Sequence, residues 1–194
     1  MDRNRLEAFS DGVLAIIITI MVLGLQVPLS PDLPALKPLL PVFLTYVLSF
    51  IYLGIYWNNH HHLVKTVHKV NGAMMWANLH LLFWLSLFPF VTGWMGENHF
   101  SAAPTALYGA VMFMAAIAYF ILQSVIVGQQ GPDSKLARSL GRDFKGKASP
   151  VFYALAIALA FFEPWMSCAI YVLVALLWFV PDRRIARVVD ESAP

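Results

Sequence analysis

Long apolar segments constrain the fold of this chain more than any other feature of its sequence. Six of them occur, and each approaches the length of about 20 residues at which a helix crosses a bilayer. They cover residues 5–27, 39–64, 71–93, 103–127, 148–162 and 165–180. An open sheet cannot satisfy its backbone hydrogen bonds in lipid, so every segment is expected to be a helix. The sequence therefore predicts an all-α, polytopic membrane protein with a single six-helix domain over residues 1–194.

The composition agrees with a membrane location. Only 12% of the residues are charged and 59% are hydrophobic, whereas about 25% of the residues of a soluble domain are charged. The formal net charge of +2 argues against nucleic acid as a partner. The single cysteine, Cys168, excludes an intramolecular disulfide, and its apolar surroundings are typical of a buried, inert thiol.

Basic residues are distributed unevenly between the two sides of the predicted bundle. With both termini placed in the cytoplasm, 12 of the 13 lysines and arginines lie on the cytoplasmic side, and only Lys37 lies outside. The cytoplasmic set is Arg3, Arg5, Lys65, Lys69, Lys135, Arg138, Arg142, Lys145, Lys147, Arg183, Arg184 and Arg187. The positive-inside rule therefore predicts a multi-pass protein of the cell (plasma or inner) membrane with both termini cytoplasmic.

The first helix carries an apolar stripe. On a wheel of 100° per residue, its members lie within about 60° of one another. They are Phe9, Ile16, Ile20, Leu23 and Val27. Asp11 lies about 140° away on the same wheel, so the stripe and the carboxylate are expected to face different neighbours. The alternative is that every face of this helix packs against lipid or protein and that no stripe is special.

Several polar groups are predicted to lie at one depth near the cytoplasmic face. Asp11 is about six residues, or about 9 Å, along the first helix from Arg5, and two histidines and one asparagine lie at similar distances from that face. A carboxylate without partners at this depth would be costly. We therefore expect hydrogen bonds across the first three helices among Ser10, Asp11, His60 or His61, and Asn78.

Three consecutive histidines, residues 60–62, suggest a metal site as an alternative. Adjacent side chains on a helix point about 100° apart, however, and metal-binding pairs prefer the i, i+4 spacing. The sequence favours histidines that serve as members of a hydrogen-bonded network, and no metal is expected.

The pattern Arg-x-x-x-Phe-Ser-Asp at residues 5–11 resembles the opening signature of the endolysosomal potassium channel family called transmembrane protein 175, in its prokaryotic branch. The resemblance continues in Ala15, Ile16, Thr19, Tyr56, Trp57, His60, His61, Asn78, Leu79 and residues 87–90. It covers the first three predicted helices through these residues. The last three are similar only in hydropathy and number.

This resemblance implies a leak-type channel that is selective for potassium, with proton permeation as a further property. It implies no enzymatic activity and no cofactor, only permeant K⁺ ions. In that family the first helix of each repeat lines the pore, and a bulky apolar side chain forms its narrowest ring. Eukaryotic members carry two six-helix repeats and dimerise. A chain with one repeat is therefore expected to form a homotetramer around a fourfold axis in the lipid bilayer.

The resemblance also assigns roles to residues of the first helix. Ile16 is the constriction, and Thr19 and Leu23 lie further along the same wall. The helical wheel adds Ile20 independently. The signature residues are expected to hold the helix in place rather than to touch ions; they are Arg5, Phe9, Ser10 and Asp11.

The carbonyl filter Thr-Val-Gly-Tyr-Gly of ordinary potassium channels does not occur in this sequence. Rings of apolar side chains can gate a pore by dewetting. One hypothesis for selectivity is that a narrow apolar ring makes ions shed part of their hydration, which costs more for sodium than for potassium.

Three other classes of protein remain as alternatives. A secondary transporter would show inverted repeats and helices broken near the midplane, a histidine-based membrane enzyme would hold a metal, and a purely structural membrane protein would do neither. Ion flux in liposomes separates a channel from all three.

Overall fold

The computed structural model describes residues 2–67, 69–131, 134, 136–137 and 144–179. Residue 180, at the predicted end of the sixth segment, lies outside the described residues. So do several of the basic residues assigned to the cytoplasmic side, namely Lys135, Arg138, Arg142, Arg183, Arg184 and Arg187.

The structure describes seven α-helices and confirms the all-α prediction. They are α1 (Arg3–Val22), α2 (Leu40–Lys65), α3 (Gly72–Ser86), α4 (Phe88–Glu97), α5 (Ala102–Gln130), α6 (Phe144–Leu159) and α7 (Pro164–Phe179). A short 3₁₀-helix, Leu33–Leu39, precedes α2. Only Leu87 separates α3 from α4, and the two together occupy the third predicted segment.

The first helix is shorter than the predicted segment of residues 5–27. It ends at Val22, because the next three residues form tight turns in which Leu23, Gly24 and Leu25 each donate a backbone hydrogen bond to the carbonyl three residues earlier. Such i→i+3 bonds commonly close the end of an α-helix. Leu23 is therefore the residue that caps α1, and residues 24–27 lie beyond the helix.

Local sequence signals explain other helix ends. Asn71 begins α3, and its Oδ1 accepts a 2.8 Å hydrogen bond from the backbone N–H of Met74, as capping asparagines do. Prolines stand in the first turns of α2 and α4, where a missing N–H costs nothing. The fifth predicted segment, residues 148–162, is displaced: α6 begins at Phe144 and ends at Leu159.

Three stretches of the described chain are long and apolar enough to cross a membrane, namely Leu33–Lys65, Gly72–Glu97 and Ala102–Gln130. The 20 residues of α1 extend about 30 Å, which also matches the hydrocarbon core, but the first turns of this helix carry several charges. The 16 residues of α7 form a shorter apolar helix of about 24 Å.

α5 occupies the middle of the bundle. It packs against α3 and α4 on one side and against the α6–α7 hairpin on the other, whereas α1 packs against α2, α3 and α4. Buried hydroxyl groups join the helices between these two regions: Ser49 Oγ lies 2.7 Å from Thr92 Oγ1 and 3.0 Å from the Tyr108 hydroxyl. In lipid such interhelical hydrogen bonds add to van der Waals packing, because apolar surface gains little by leaving a hydrocarbon solvent.

One close contact in this core involves a glycine of α5. A Cβ on Gly109 would overlap the Tyr171 hydroxyl and lie 2.9 Å from Ile157 Cγ1, and that hydroxyl donates a 3.0 Å hydrogen bond to the Thr105 carbonyl. We expect Gly109→Ala to lower the free energy of unfolding by about 1–3 kcal/mol, as overpacking typically does. The measurement is the melting temperature of the purified protein in detergent.

Gly54→Ala is the matched control, because a Cβ at Gly54 in α2 would have no atom within 4 Å. It should leave the melting temperature unchanged or raise it slightly, since alanine favours the helix. Equal effects of the two substitutions would contradict this packing.

Candidate functional site

The two sides of α1 differ in their surroundings. One side is buried against α2, α3 and α4 and carries Leu6, Ser10, Leu14, Ile17 and Met21. The opposite side is exposed in the single chain and carries Phe9, Ile16, Thr19, Ile20 and Leu23. We call this second set the α1 stripe. All four residues that the sequence predicts to line a pore, Ile16, Thr19, Ile20 and Leu23, belong to it.

The α1 stripe is apolar except for one hydroxyl group. Ile16 is 58% exposed and Leu23 is 78% exposed, as are many apolar side chains on the outer surface of this bundle. The Thr19 hydroxyl donates a 2.9 Å hydrogen bond to the carbonyl oxygen of Ile16. Its single hydrogen is therefore directed at the backbone, and its oxygen lone pairs remain available on the exposed side.

The buried side of α1 is held by a chain of three hydrogen bonds. Ser10 Oγ donates to the Leu6 carbonyl at 2.9 Å, Asn78 Nδ2 donates to Ser10 Oγ at 2.9 Å, and His60 Nε2 lies 2.7 Å from Asn78 Oδ1. The three linked side chains are fully buried. Because Asn78 Oδ1 can only accept, His60 must carry its hydrogen on Nε2. The chain thus has one direction, from α2 through α3 to α1.

Asp11 does not join this hydrogen-bonded series, contrary to the predicted network, and of the two histidines that the prediction left open only His60 joins it. Asp11 Oδ1 accepts a 3.0 Å hydrogen bond from Trp57 Nε1. His61 Nδ1 lies 2.6 Å from Glu7 Oε1, with both side chains partly exposed. These groups lie at similar depth, as predicted. The partner of Asp11 differs because α2 presents Trp57 and His61, rather than His60, to this side of α1.

Sequence reasoning assigned no role to Glu7 or Trp57. A signal for them exists: Glu7 and Asp11 are four residues apart on α1, and Trp57 and His61 are four residues apart on α2. Residues at this spacing share one face of a helix. The Trp57 and His61 rings are also stacked, with their centroids 6.2 Å apart.

The three consecutive histidines do not converge on one point. His60 faces Asn78, His61 faces Glu7, and the His62 ring lies edge-on to His61 at 5.7 Å. Within the described residues, no group of three His, Cys, Asp or Glu side chains is arranged to hold a metal ion.

The remaining signature residues, Arg5 and Phe9, border a groove between α1 and α3. This groove has a volume of about 590 Å³ and is also lined by Asp2, Met75 and Leu79, with Asn78 at its base. Phe9 is 51% exposed. The signature residues therefore fall into two groups. Ser10 and Asp11 form hydrogen bonds with side chains of other helices, whereas Arg5 and Phe9 line a surface groove.

The sequence is similar to proteins named as potassium channels. A family model described as endosomal/lysosomal potassium channel TMEM175 matches residues 5–89. A protein of Chryseobacterium sp. (strain P1-3) named as a potassium channel is 56% identical over 192 residues, which cover 99% of this chain and 100% of that protein. Another, from Streptomyces collinus, is 32% identical over 191 residues, with 91% of each chain covered.

A solved structure has the same fold. The crystal structure of a lysosomal potassium-selective channel TMEM175 homolog from Chamaesiphon minutus is similar to this chain with a TM-score of 0.82 and 26% sequence identity, over 93% of this chain and 97% of the other. The family model matches the first helices, and the fold and the similarity to a named relative extend over nearly the full length of the chain. The chain belongs to the TMEM175 family.

Proposed function

We propose that this chain is a potassium channel whose pore lies at the centre of a homotetramer and is lined by α1. One observation carries the proposal: the α1 stripe is apolar and exposed in the single chain, while the opposite side of α1 is fastened to the bundle. Four copies around an axis would close the stripe into rings of identical side chains. The family relatives are named as ion channels, which also supports a protein that is not an enzyme.

Within this pore, Ile16 is the proposed constriction. Four isoleucine side chains form a ring with no polar atom, and such a ring opposes water and ions by dewetting. One turn further along α1, the Thr19 hydroxyls would form a ring of oxygen lone pairs, since their hydrogens are directed at the Ile16 carbonyls. Ile20 and Leu23 continue the wall toward the end of the helix.

The residues behind the stripe support the same assembly. The chain of hydrogen bonds through Ser10, Asn78 and His60 fixes the rotation of α1, so that Ile16 keeps its outward direction. The groove at Arg5 and Phe9 is the surface that we assign to a neighbouring subunit, because it meets the α1 stripe at Phe9 and presents the charged groups of Asp2 and Arg5 beside an apolar ring.

The placement in the membrane follows from the charge distribution. We propose a multi-pass protein of the cell membrane with six spans and both termini cytoplasmic, as the positive-inside rule indicates. The charged first turns of α1 would then lie at the cytoplasmic face. Proton permeation is a second property that the family resemblance implies for this pore.

The decisive experiment measures the mass of the purified protein in detergent and potassium flux in liposomes. We expect a tetramer, and a potassium flux that exceeds sodium flux and rises nearly in proportion to the ion gradient. A monomer, or a flux that saturates as a transporter's does, would contradict the proposal. Treatment of the protein with a metal chelator should leave the potassium flux unchanged.

Thr19 provides a test of the pore wall itself. We expect Thr19→Val to move the reversal potential under a potassium–sodium gradient toward zero. The substitution replaces four threonines around the pore with four valines and so removes the only side-chain oxygen of the α1 stripe. Thr19→Ser retains the hydroxyl and is the matched control, for which we expect the parent reversal potential. Identical reversal potentials for Thr19→Val and the parent would place Thr19 off the ion path.

A further inference from the structure

A small cavity lies in the bundle between α2, α5, α6 and α7, away from the α1 stripe. Its volume is about 50 Å³. Half of its described lining residues are aromatic, namely Tyr52, Tyr56, Tyr119, Phe120, Tyr153 and Trp178. Two carboxamide side chains, Asn59 and Gln123, also line it. No residue of the α1 stripe lines this cavity, so its role is independent of the proposed potassium pore.

Gln123 is the unusual member of this wall. It lies in α5, a stretch that is long and apolar enough to cross a membrane, and only 7% of its surface is exposed. No hydrogen bond joins its amide to another described residue, and the amide atoms are not among the fully buried, unpaired ones, so they border open space rather than packed side chains. A buried carboxamide without partners is costly, and buried polar groups in proteins are nearly always paired, often with ordered water. The amide therefore requires a partner that the described residues do not supply.

The size and charge of the cavity limit what this partner is. A water molecule needs about 10–15 Å³ of such space and two to four polar contacts, whereas a cavity that binds benzene measures about 150 Å³. None of the described lining residues carries a formal charge, so this wall does not match an ion or a charged group. Asn59 Nδ2 donates a hydrogen bond to the Ile55 carbonyl at 2.9 Å, and its side-chain oxygen can act as an acceptor.

We propose that this cavity is a binding site for ordered water, held by the Gln123 amide and linking α5 to Asn59 of α2. The water satisfies an amide that would otherwise be stranded at membrane depth. It also lies where the α6–α7 hairpin closes on the bundle, since Tyr153 of α6 and Trp178 of α7 complete the wall.

Radiolytic hydroxyl-radical footprinting of the full-length protein in detergent tests this site. The radicals form from water in place, so a buried side chain that touches trapped water is oxidised quickly. Tyr153 and Tyr108 form a matched pair: both are buried, at 2% and 0% exposure, but only Tyr153 lines the cavity. We expect Tyr153 to be oxidised many-fold faster than Tyr108. Equal, slow oxidation of the two tyrosines would mean a dry cavity and would overturn the proposal.

Two variants then test the role of the amide. Gln123→Leu keeps the shape of the side chain but removes its hydrogen-bonding atoms, and we expect the oxidation rate of Tyr153 to fall severalfold. Gln129→Leu, on an exposed position of the same helix, should leave that rate unchanged. An unchanged rate in Gln123→Leu would show that the amide holds no water. Should Gln123→Leu fail to fold, the comparison of Tyr153 with Tyr108 in the parent protein decides by itself.

Discussion

Replacement of Ile16 by asparagine is expected to raise the single-channel conductance severalfold and to reduce the preference for potassium over sodium. The physical reason is that a ring of amide groups hydrates a constriction that a ring of isoleucines keeps dry. If partial dehydration at this ring is what disfavours sodium, hydration of the ring removes that discrimination. Recordings from the purified channel in planar bilayers, with potassium on one side and sodium on the other, give both quantities.

Ile17 supplies the control for this experiment. It is the same type of residue one position further on, but it is buried against the bundle with 4% exposure. Ile17→Val should leave conductance and selectivity unchanged while costing about 0.5–1.5 kcal/mol of stability. If Ile16→Asn and Ile16→Ala both retain the parent conductance and selectivity, Ile16 is not the narrow point of the pore.

Replacement of Asn78 by leucine should have the largest effect on stability and assembly. Asn78 is both the acceptor for His60 and the donor to Ser10, so the substitution leaves the buried His60 N–H without an acceptor. A stranded buried donor costs about 1–3 kcal/mol. We expect a lower melting temperature, less tetramer by size-exclusion chromatography, and reduced potassium flux, since α1 loses the contact that fixes its rotation.

A double-mutant cycle separates this mechanism from a simple loss of packing. His60→Leu combined with Asn78→Leu removes both partners, and replacing both members of a hydrogen bond with apolar groups can be nearly neutral. The double variant should therefore be more stable than the sum of the single effects predicts. Strictly additive losses would mean that the bond between His60 and Asn78 contributes little.

Apolar length and charge were sufficient to predict the all-helical fold, because lipid leaves the backbone no alternative to helices. The exact extent of the helices was less accessible. The end of α1 at Val22 depends on tight turns at Leu23 and Gly24. Glycine is common just past a helix end, but the mostly apolar sequence continues on both sides of it to Val27 and favours a longer helix. The start of α6 was also missed. This helix includes Lys145 and Lys147, whose charges exclude them from an apolar segment, so apolar length alone predicts a later start.

The polar contacts show a second limit. Depth along a helix follows from counting residues at 1.5 Å each, which is why Ser10, His60 and Asn78 could be placed at one level. The rotation of one helix about its axis relative to another depends on side-chain packing and cannot be counted. His60 and His61 differ by about 100° of rotation, and that angle decides that His60 faces Asn78 while His61 faces Glu7.

The outward direction of Ile16 has a consequence for mixtures of subunits. Since each chain would contribute one side chain to the ring, parent and Ile16→Asn chains expressed together should populate every stoichiometry. Single-channel records would then resolve a ladder of discrete current levels, spaced by the number of asparagines present, and their relative abundance would follow the ratio of the two transcripts. Two levels alone, each equal to that of a pure protein, would mean that the chains do not share one pore.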